Sequence, residues 1–334
     1  MIILGIETSC DETAAAVVED ESRILASVVS SQVKIHRRYG GVVPELASRK
    51  HIEAIVTVVD EALSEAGLPL KDIDAVAVTR GPGLVGALLV GFSFAKSLAF
   101  ALKIPWVGVN HLEGHIHSVF LEPDRPSFPF VALLASGGHT SIYHITDHLT
   151  AELMGQTRDD AAGEAFDKVA KMLELGYPGG RVIDRLAKQG DPSRIHFPRP
   201  YVDKETFDFS FSGIKSAVQR YISTHHDKYS EQIPDIVAGF QEAVLEVLSY
   251  KVIRAAVEKG CNRIALVGGV AANSRLRAKL SSDAGKKAIR VYIPSLNLCG
   301  DNAAMIAAAG YHYLKAGMVG DLRDDVFSRN SRGY

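Results

Sequence analysis

The chain lays down the same order of elements twice, and that repetition limits the architectures open to it. Apolar, β-branched runs at Ile2–Glu7, Thr13–Val18 and Ile24–Val29 suit three short strands joined by tight polar connections. A helix follows from Ser48 to Ala66, then a strand over Ile73–Thr79, an apolar helix over Leu84–Leu102 and a strand over Trp106–Val109. From Phe128 the order restarts, with strands at Phe130–Ala135, Ser141–Ile145 and Leu149–Met154. Helical patterns cover Ala161–Leu175, Arg181–Lys188, Ile214–Tyr221 and Pro234–Glu258. A strand at Arg263–Val267, a helix, a strand at Arg290–Ile293 and a helix over Asp301–Ala316 complete the set. Three strands and then helix–strand–helix–strand, twice over, point to a duplicated α/β architecture of two lobes around a central cleft. The polar, proline-bearing and aromatic stretch Asp191–Ser212 reads as a long loop facing that cleft.

Composition excludes several classes. A chain of 334 residues, 47% hydrophobic, is long enough for two packed cores. Lys and Arg (37) nearly balance Asp and Glu (39), so no bulk charge draws it to nucleic acid or membrane, although local patches are not excluded. Cys10, Cys261 and Cys299 are too few and scattered for a disulfide framework or zinc knuckle, which fits reduced thiols in a cytoplasmic protein. The N-terminus lacks the basic flank of a signal peptide. Gly86, Gly91, Ser93, Lys96 and Ser97 interrupt Leu84–Leu102, so this run suits a buried helix and no membrane span is expected.

Three turns have the chemistry of ligand loops. Gly5-Ile-Glu-Thr-Ser-Cys-Asp-Glu-Thr13 sits at the first strand–turn–strand junction, where backbone N–H groups can hold phosphate oxygens and carboxylates a cation. Ser136-Gly-Gly-His-Thr140 occupies the equivalent turn of the second half, with two glycines that let the backbone approach a ligand closely. Gly268-Gly-Val-Ala-Ala-Asn273 lies between a strand and a helix, a place that accepts a flat adenosine. Each also occurs as an ordinary turn; their matched positions in the two halves favour the ligand reading.

His111 and His115, in Asn110-His-Leu-Glu-Gly-His115, add a metal candidate. Four residues apart on a helix, they share one face. His144 and His148 have the same spacing in a strand and turn, where it gives no shared face, so spacing alone is not decisive. Asp301 is the best third ligand, with an N-cap role as the alternative. Two imidazoles and a carboxylate with open positions suit one divalent ion per chain, Fe²⁺ or Zn²⁺, and the donor set does not choose between them. In the peptidase motif His-Glu-x-x-His the glutamate neighbours both ligands. Here Glu113 lies two residues from each histidine, about 200° around the helix, which removes the metallopeptidase reading.

Six ordered motifs together resemble a known family. Ile6-Glu-Thr-Ser-Cys-Asp-Glu-Thr13, Gly40-Gly-Val-Val-Pro-Glu-Leu-Ala-Ser-Arg-Lys-His51, Asn110-His-Leu-Glu-Gly-His115, Leu134-Ala-Ser-Gly-Gly-His-Thr140, Phe209-Ser-Phe-Ser-Gly-Ile-Lys215 and Gly268-Gly-Val-Ala-Ala-Asn273 look like the signature of the TsaD-type tRNA N6-adenosine threonylcarbamoyltransferases, once described as O-sialoglycoprotein endopeptidases. Asp301-Asn-Ala-Ala-Met305 fits the family's closing motif. The resemblance implies the duplicated actin-like ATPase (ASKHA) fold. Residues 1–110 with 301–334 would form the N-terminal lobe, and residues 111–300 the C-terminal lobe with the adenylate site. It implies transfer of threonylcarbamoyl from threonylcarbamoyl-adenylate to N6 of the adenosine beside the anticodon in tRNAs reading codons that begin with A, releasing AMP. The implied partners are tRNA, a TsaB-type paralogue, a TsaE-type ATPase and a TsaC-type synthase that supplies the adenylate.

Carried over by position, His111, His115 and Asp301 would hold the metal. Leu134, Ala135, Ser136, Gly137 and Gly138 would line the phosphate and acyl part of the adenylate, and Asp167, Gly180, Asp184 and Asn273 its ribose and adenine. The N6 amine is a poor nucleophile and needs a proton acceptor, for which Asp11 or Glu12 is the candidate. Basic clusters at His36-Arg-Arg38, Arg49-Lys50 and Lys286-Lys287 are candidates for tRNA contact, as is the tail Ser328–Tyr334. The helix surface at Ile52–Leu63 is a candidate face for the paralogue. The rival readings are an ASKHA-type ATPase or kinase, disfavoured because Mg²⁺ prefers oxygen ligands, and a nucleotide-switched regulatory module.

Overall fold

A computed structural model describes residues 1–200 and 205–329; residues 330–334 of the tail lie outside the described residues. The chain divides into two compact units. Unit 1 comprises residues 1–125, 147–150 and 294–334, and unit 2 comprises 126–146 and 151–293. The division expected from the sequence falls instead at 110/111 and 300/301. The difference has a physical cause, because the helix carrying His111 and His115 packs on the C-terminal helix, and both belong to unit 1.

Unit 1 holds strands β1 (Ile2–Glu7), β2 (Glu12–Glu19), β3 (Arg23–Ser31), β4 (Ala75–Gly81) and β5 (Trp106–Asn110). Its helices are α1 (Val33–His36), α2 (Pro44–Ala66), α3 (Val85–Leu102) and α4 (His111–His117). Unit 2 holds β6 (Phe130–Ala135), β7 (Thr140–Asp147, its last residue in unit 1), β8 (Thr150–Gln156), α5 (Ala162–Met172), α6 (Gly179–Ala187), α7 (Ser212–Thr224), α8 (Ile233–Glu258), β9 (Arg263–Val267), α9 (Ser274–Gly285) and β10 (Arg290–Tyr292). The chain then returns to unit 1 with α10 (Leu296–Cys299) and α11 (Ala303–Lys315).

The two sheets have one topology. In unit 1 the order is β3-β2-β1-β4-β5, and in unit 2 it is β8-β7-β6-β9-β10. β1 pairs antiparallel with β2 and parallel with β4, and β6 does the same with β7 and β9. The central strands are buried on both faces, which is why they read as near-continuous apolar runs. Duplication places the turns after β1 and β6 at matched positions, beside the carboxyl ends of the parallel strands, where ligands of open α/β sheets bind.

Helix placement follows apolar spacing. α2 begins at Pro44, four residues before the expected start, because proline is favoured at a first helical position. It buries Ala47, His51, Ile55, Val58, Val59, Ala62 and Leu63, while Ile52 and Val56 remain exposed. α3 is long and apolar enough to cross a membrane by composition, yet Phe92, Ala95 and Ala99 pack in the core with β1, β4 and α2. In the stretch from Asp191 to Ser212 the apolar and aromatic side chains turn inward: Ile195, Phe197, Phe207, Phe209 and Phe211 are buried within unit 2. The buried ammonium of Lys251, from α8, donates to the Thr206 carbonyl at 3.2 Å and to the Asp208 carbonyl, anchoring this stretch.

α11 lies unusually close to the first sheet because the contact residues are small. Ala303, Ala304, Ala307 and Gly310 face β1 and β4, and a Cβ at Gly5 would sit 2.2 Å from the Ala303 carbonyl oxygen. This approach sets Asp301, just before α11, against the carboxyl ends of β1 and β5. Gly5→Ala is therefore expected to cost about 1–3 kcal/mol through overpacking, read as a lower urea midpoint; an unchanged midpoint would contradict the close approach.

Candidate metal centre and ligand turns

α4 starts directly at the end of β5 because the Asn110 side chain accepts the Leu112 N–H at 2.9 Å. His111 is thus the first helical residue and His115 follows one turn later, both buried. Asp301 is not the cap of α11. Asn302 takes that role, accepting the Met305 N–H at 3.0 Å, and leaves the Asp301 carboxylate for the histidines. Asp301 Oδ1 lies 3.1 Å from His115 Nε2 and 3.7 Å from His111 Nε2. The ligand atoms of all three residues fall within 4.8 Å of one another.

The other face of His111 is held by a fully buried carboxylate. Glu7, the last residue of β1, accepts from His111 Nδ1 at 3.0 Å and from the Thr79 hydroxyl of β4 at 2.6 Å, and also takes the Ser9 N–H. An imidazole whose Nδ1–H is spent on a carboxylate presents Nε2 as a lone pair, the usual outer-sphere arrangement of a metal-binding histidine. His115 Nδ1 is buried and meets no hydrogen-bond partner among the described residues. The donor set is two imidazoles and one carboxylate, which fits a divalent transition-metal ion better than Mg²⁺.

Without an ion, charge dominates. Burial alone would lower the His111 pKa, but Glu7 and Asp301 outweigh it and carry it up to about 9. Burial opposes ionisation of Glu7, yet the His111 charge and hydrogen bond hold its carboxyl below the ordinary value. Glu113 turns away from this group; its carboxylate accepts the Tyr313 hydroxyl, so it is not beside the histidines as a peptidase base would be.

The β1–β2 turn brings Asp11 and Glu12 into the same unit. Burial, followed by the negative charges of Asp11 and Asp301, raises Glu12 to about 9, and the Ser31 hydroxyl donates to it at 2.8 Å. A cation on Asp301 would weaken the repulsion that contributes to this shift. His51 from α2 braces the turn, its Nε2–H donating to the Cys10 carbonyl at 3.0 Å and its Nδ1 accepting the Thr13 hydroxyl at 2.8 Å. The sequence motifs contain Glu7 and His51, but nothing in their spacing reveals these roles.

In unit 2, Leu134 and Ala135 close β6 and are buried, whereas Gly137 and Gly138 are exposed in the turn. The Ser136 carbonyl accepts the Gly163 N–H of α5 at 3.1 Å. On α5, Asp167 accepts the Gly179 N–H at the start of α6 at 2.7 Å. On α6, Asp184 accepts the Ser274 hydroxyl of α9 at 2.9 Å. Asn273 caps α9 through Leu276 N–H at 2.9 Å and donates to Gln241 at 2.7 Å. These contacts link the elements carrying the expected adenylate residues. A Cβ at Gly137, Gly138, Gly180 or Gly269 would meet no protein atom within 4 Å, so packing does not demand glycine there. Gly268 differs: its φ of +90° and a would-be Cβ 2.5 Å from the Ala135 carbonyl oxygen both require it.

Of the basic clusters, His36 is buried and bonded to Gln32, and Arg49, Lys50 and Lys286 pair with Glu45, Glu53 and Asp283. Arg37, Arg38 and Lys287 are exposed.

Comparison with known proteins supplies the family. The family described as "TsaD: tRNA N6-adenosine threonylcarbamoyltransferase" matches residues 23–308. The chain belongs to the TsaD family. A tRNA N6-adenosine threonylcarbamoyltransferase of Desulforapulum autotrophicum is 61% identical over 329 residues, covering 98% of this chain and 99% of its own. One from Clostridioides difficile is 51% identical, covering 96% of each chain. Among solved structures, T.kodakarensis HypF aligns over 94% of this chain and 48% of its own, with TM-score 0.64 and 14% identity. The activator of 2-hydroxyisocaproyl-CoA dehydratase from Clostridium difficile covers 97% of this chain and 100% of its own, with TM-score 0.56 and 16% identity. These likenesses carry the fold alone, the duplicated ASKHA fold.

The pKa of His111 sets a pH signature. Its folded value lies above the ordinary 6.5, so its contribution to stability is full below about pH 6.5 and is lost as pH rises through about 9. The metal-free chain should lose urea stability across that window, and Glu7→Gln should flatten the slope. The same substitution should weaken metal binding by roughly 10- to 100-fold in calorimetric titration. An unchanged slope and affinity would contradict the role of Glu7.

Proposed function

We propose that this chain transfers the threonylcarbamoyl group of threonylcarbamoyl-adenylate to N6 of the adenosine beside the anticodon in tRNAs reading codons that begin with A. The observation that carries this reading is the 61% identity to a transferase of that name across 98% of the chain. The donor is a mixed carbamic–phosphoric anhydride. The N6 nitrogen attacks the carbamoyl carbon, the bond from that carbon to the phosphate oxygen breaks, AMP leaves, and one proton passes from nitrogen to a base.

In this reading His111, His115 and Asp301 hold one divalent ion, Fe²⁺ with Zn²⁺ as the alternative, whose Lewis acidity would polarise donor oxygens. Glu7 orients His111. Leu134 to Gly138 receive the phosphate and acyl part, with the N–H groups of Gly137 and Gly138 as donors to developing negative charge. Asp167, Gly180, Asp184 and Asn273 receive ribose and adenine. The open space at Gly137, Gly138 and Gly180 supports close approach of a ligand to the backbone. Asp11 or Glu12, on the β1–β2 turn, is the proton acceptor.

The partners in this reading are tRNA, a TsaB-type paralogue, a TsaE-type ATPase and a TsaC-type synthase that makes the adenylate, all in the cytoplasm. Exposed Ile52 and Val56 on α2 offer an apolar surface for the paralogue. Arg37, Arg38 and Lys287 offer exposed cations to phosphate.

The test incubates the chain with synthetic threonylcarbamoyl-adenylate and tRNA, with and without those partners, and measures modified adenosine. Product under complete conditions is expected, and none would overturn the reading. Asp11→Asn or Glu12→Gln should slow single-turnover transfer by roughly 100-fold or more, as loss of a general base does. Near-normal rates in both variants would remove the pair from the role.

A further inference from the structure

A second histidine group stands in unit 1, apart from the residues given a role above. We propose that His117, His148 and His312 form a further metal site, taking a Zn²⁺-class transition-metal ion through three imidazole nitrogens. One ring nitrogen from each residue lies within 4.8 Å of the others. His117 belongs to α4, His148 to the 147–150 turn and His312 to α11, all within unit 1.

The hydrogen bonding of His117 prepares it as a ligand. A carbonyl only accepts, so Nδ1, 2.8 Å from the Glu113 carbonyl oxygen, must carry the proton. Nε2 is then a bare lone pair. It is buried in a residue only 3% exposed and makes no hydrogen bond of good geometry among the described residues, although the His148 backbone also acts on this ring. Metal-binding imidazoles commonly spend their other nitrogen on a carbonyl or carboxylate in this way. The ring centroid of His117 lies 5.7 Å from that of His148 and 5.5 Å from that of His312. The latter two rings stack at 3.5 Å.

The environment suits neutral nitrogen donors. Burial, then neighbouring histidine charge, pushes His117 down to about 3 and His312 to about 4, and burial also lowers His148. Glu21 and Asp147 supply negative charge nearby, opposed by Arg125, which pairs with Glu21 at 2.6 Å. Three imidazoles without a coordinating carboxylate suit Zn²⁺ and its transition-metal neighbours and do not suit Mg²⁺ or Ca²⁺. Nitrogens on a tetrahedral ion with bonds of about 2.0–2.1 Å stand roughly 3.3 Å apart. Binding would therefore turn His148 and His312 out of their parallel stack to converge on the ion.

The consequence is mechanical. His117 lies two residues beyond His115, about 200° around α4, so the two groups occupy opposite sides of that helix. α11 carries His312 and begins two residues after Asp301, and it packs on α4. An ion on the second group would tie together the two helices that present the first.

The test uses the full, metal-stripped chain titrated with Zn²⁺ alone, with bound metal counted by mass spectrometry of the ion and Co²⁺ absorption as a second readout. The wild type should take two equivalents. His312→Ala should take one, as should the double variant His111→Ala with His115→Ala, whose melting temperature Zn²⁺ should still raise. The triple combination should take none. His148→Ala, on a turn, repeats the His312 measurement if that helix variant fails to fold. Two equivalents retained in His148→Ala, or none bound by the double variant, would overturn the proposal. Neither count depends on transferase activity.

Discussion

A single buried carboxylate organises the first unit. Glu7 ends the central strand, accepts from Thr79 on the neighbouring strand and from His111 on the helix after β5, and is wholly sealed from solvent. An unpaired carboxylate there would be strongly destabilising, so its partners are effectively obligatory. By fixing His111 Nδ1 it aims Nε2 at Asp301, and the candidate metal group follows. The close seating of α11 on Gly5, one turn of pleat away on the same strand, supplies Asp301 itself. Strand β1 thus sets both sides of the group.

Duplication explains why the remaining candidates lie where they do. Each sheet has an antiparallel ribbon beside parallel strands, and each central strand ends in a small, polar turn. The two turns have diverged in chemistry. The first retains acids and hydroxyls braced by His51, whereas the second is reduced to exposed glycines fastened to α5 through Ser136. One fold therefore offers a charged, oxygen-rich turn in unit 1 and a bare-backbone turn in unit 2.

Much of this was legible in the chain. Strand periodicity and the restart at Phe128 give both sheets nearly to the residue, because their central strands are continuously apolar. The i, i+4 spacing of His111 and His115 survives in the structure, and Glu113 faces Tyr313 as its helical angle requires. The rest depends on contacts distant in sequence. Nothing near Glu7 announces a partner 104 residues away, and Asn302, not Asp301, caps α11. His148 is instructive: its spacing from His144 carries no shared face, and His144 instead pairs with Glu152. Folding brings His148 to His117 and His312 instead, a grouping that no local pattern encodes. Likewise the aromatic content of Asp191–Ser212 is visible in the sequence, but its anchoring by Lys251, from a helix some forty residues on, is not.

The central claim is that the first group is a two-imidazole, one-carboxylate centre aimed by Glu7. X-ray absorption at the iron edge, on the His312→Ala chain loaded with one equivalent of Fe²⁺, tests it most directly. The account requires backscattering from two imidazole rings, with the remaining near neighbours oxygen, and loss of one ring in His115→Ala. A spectrum with oxygen neighbours alone, or one unchanged by that substitution, would contradict it.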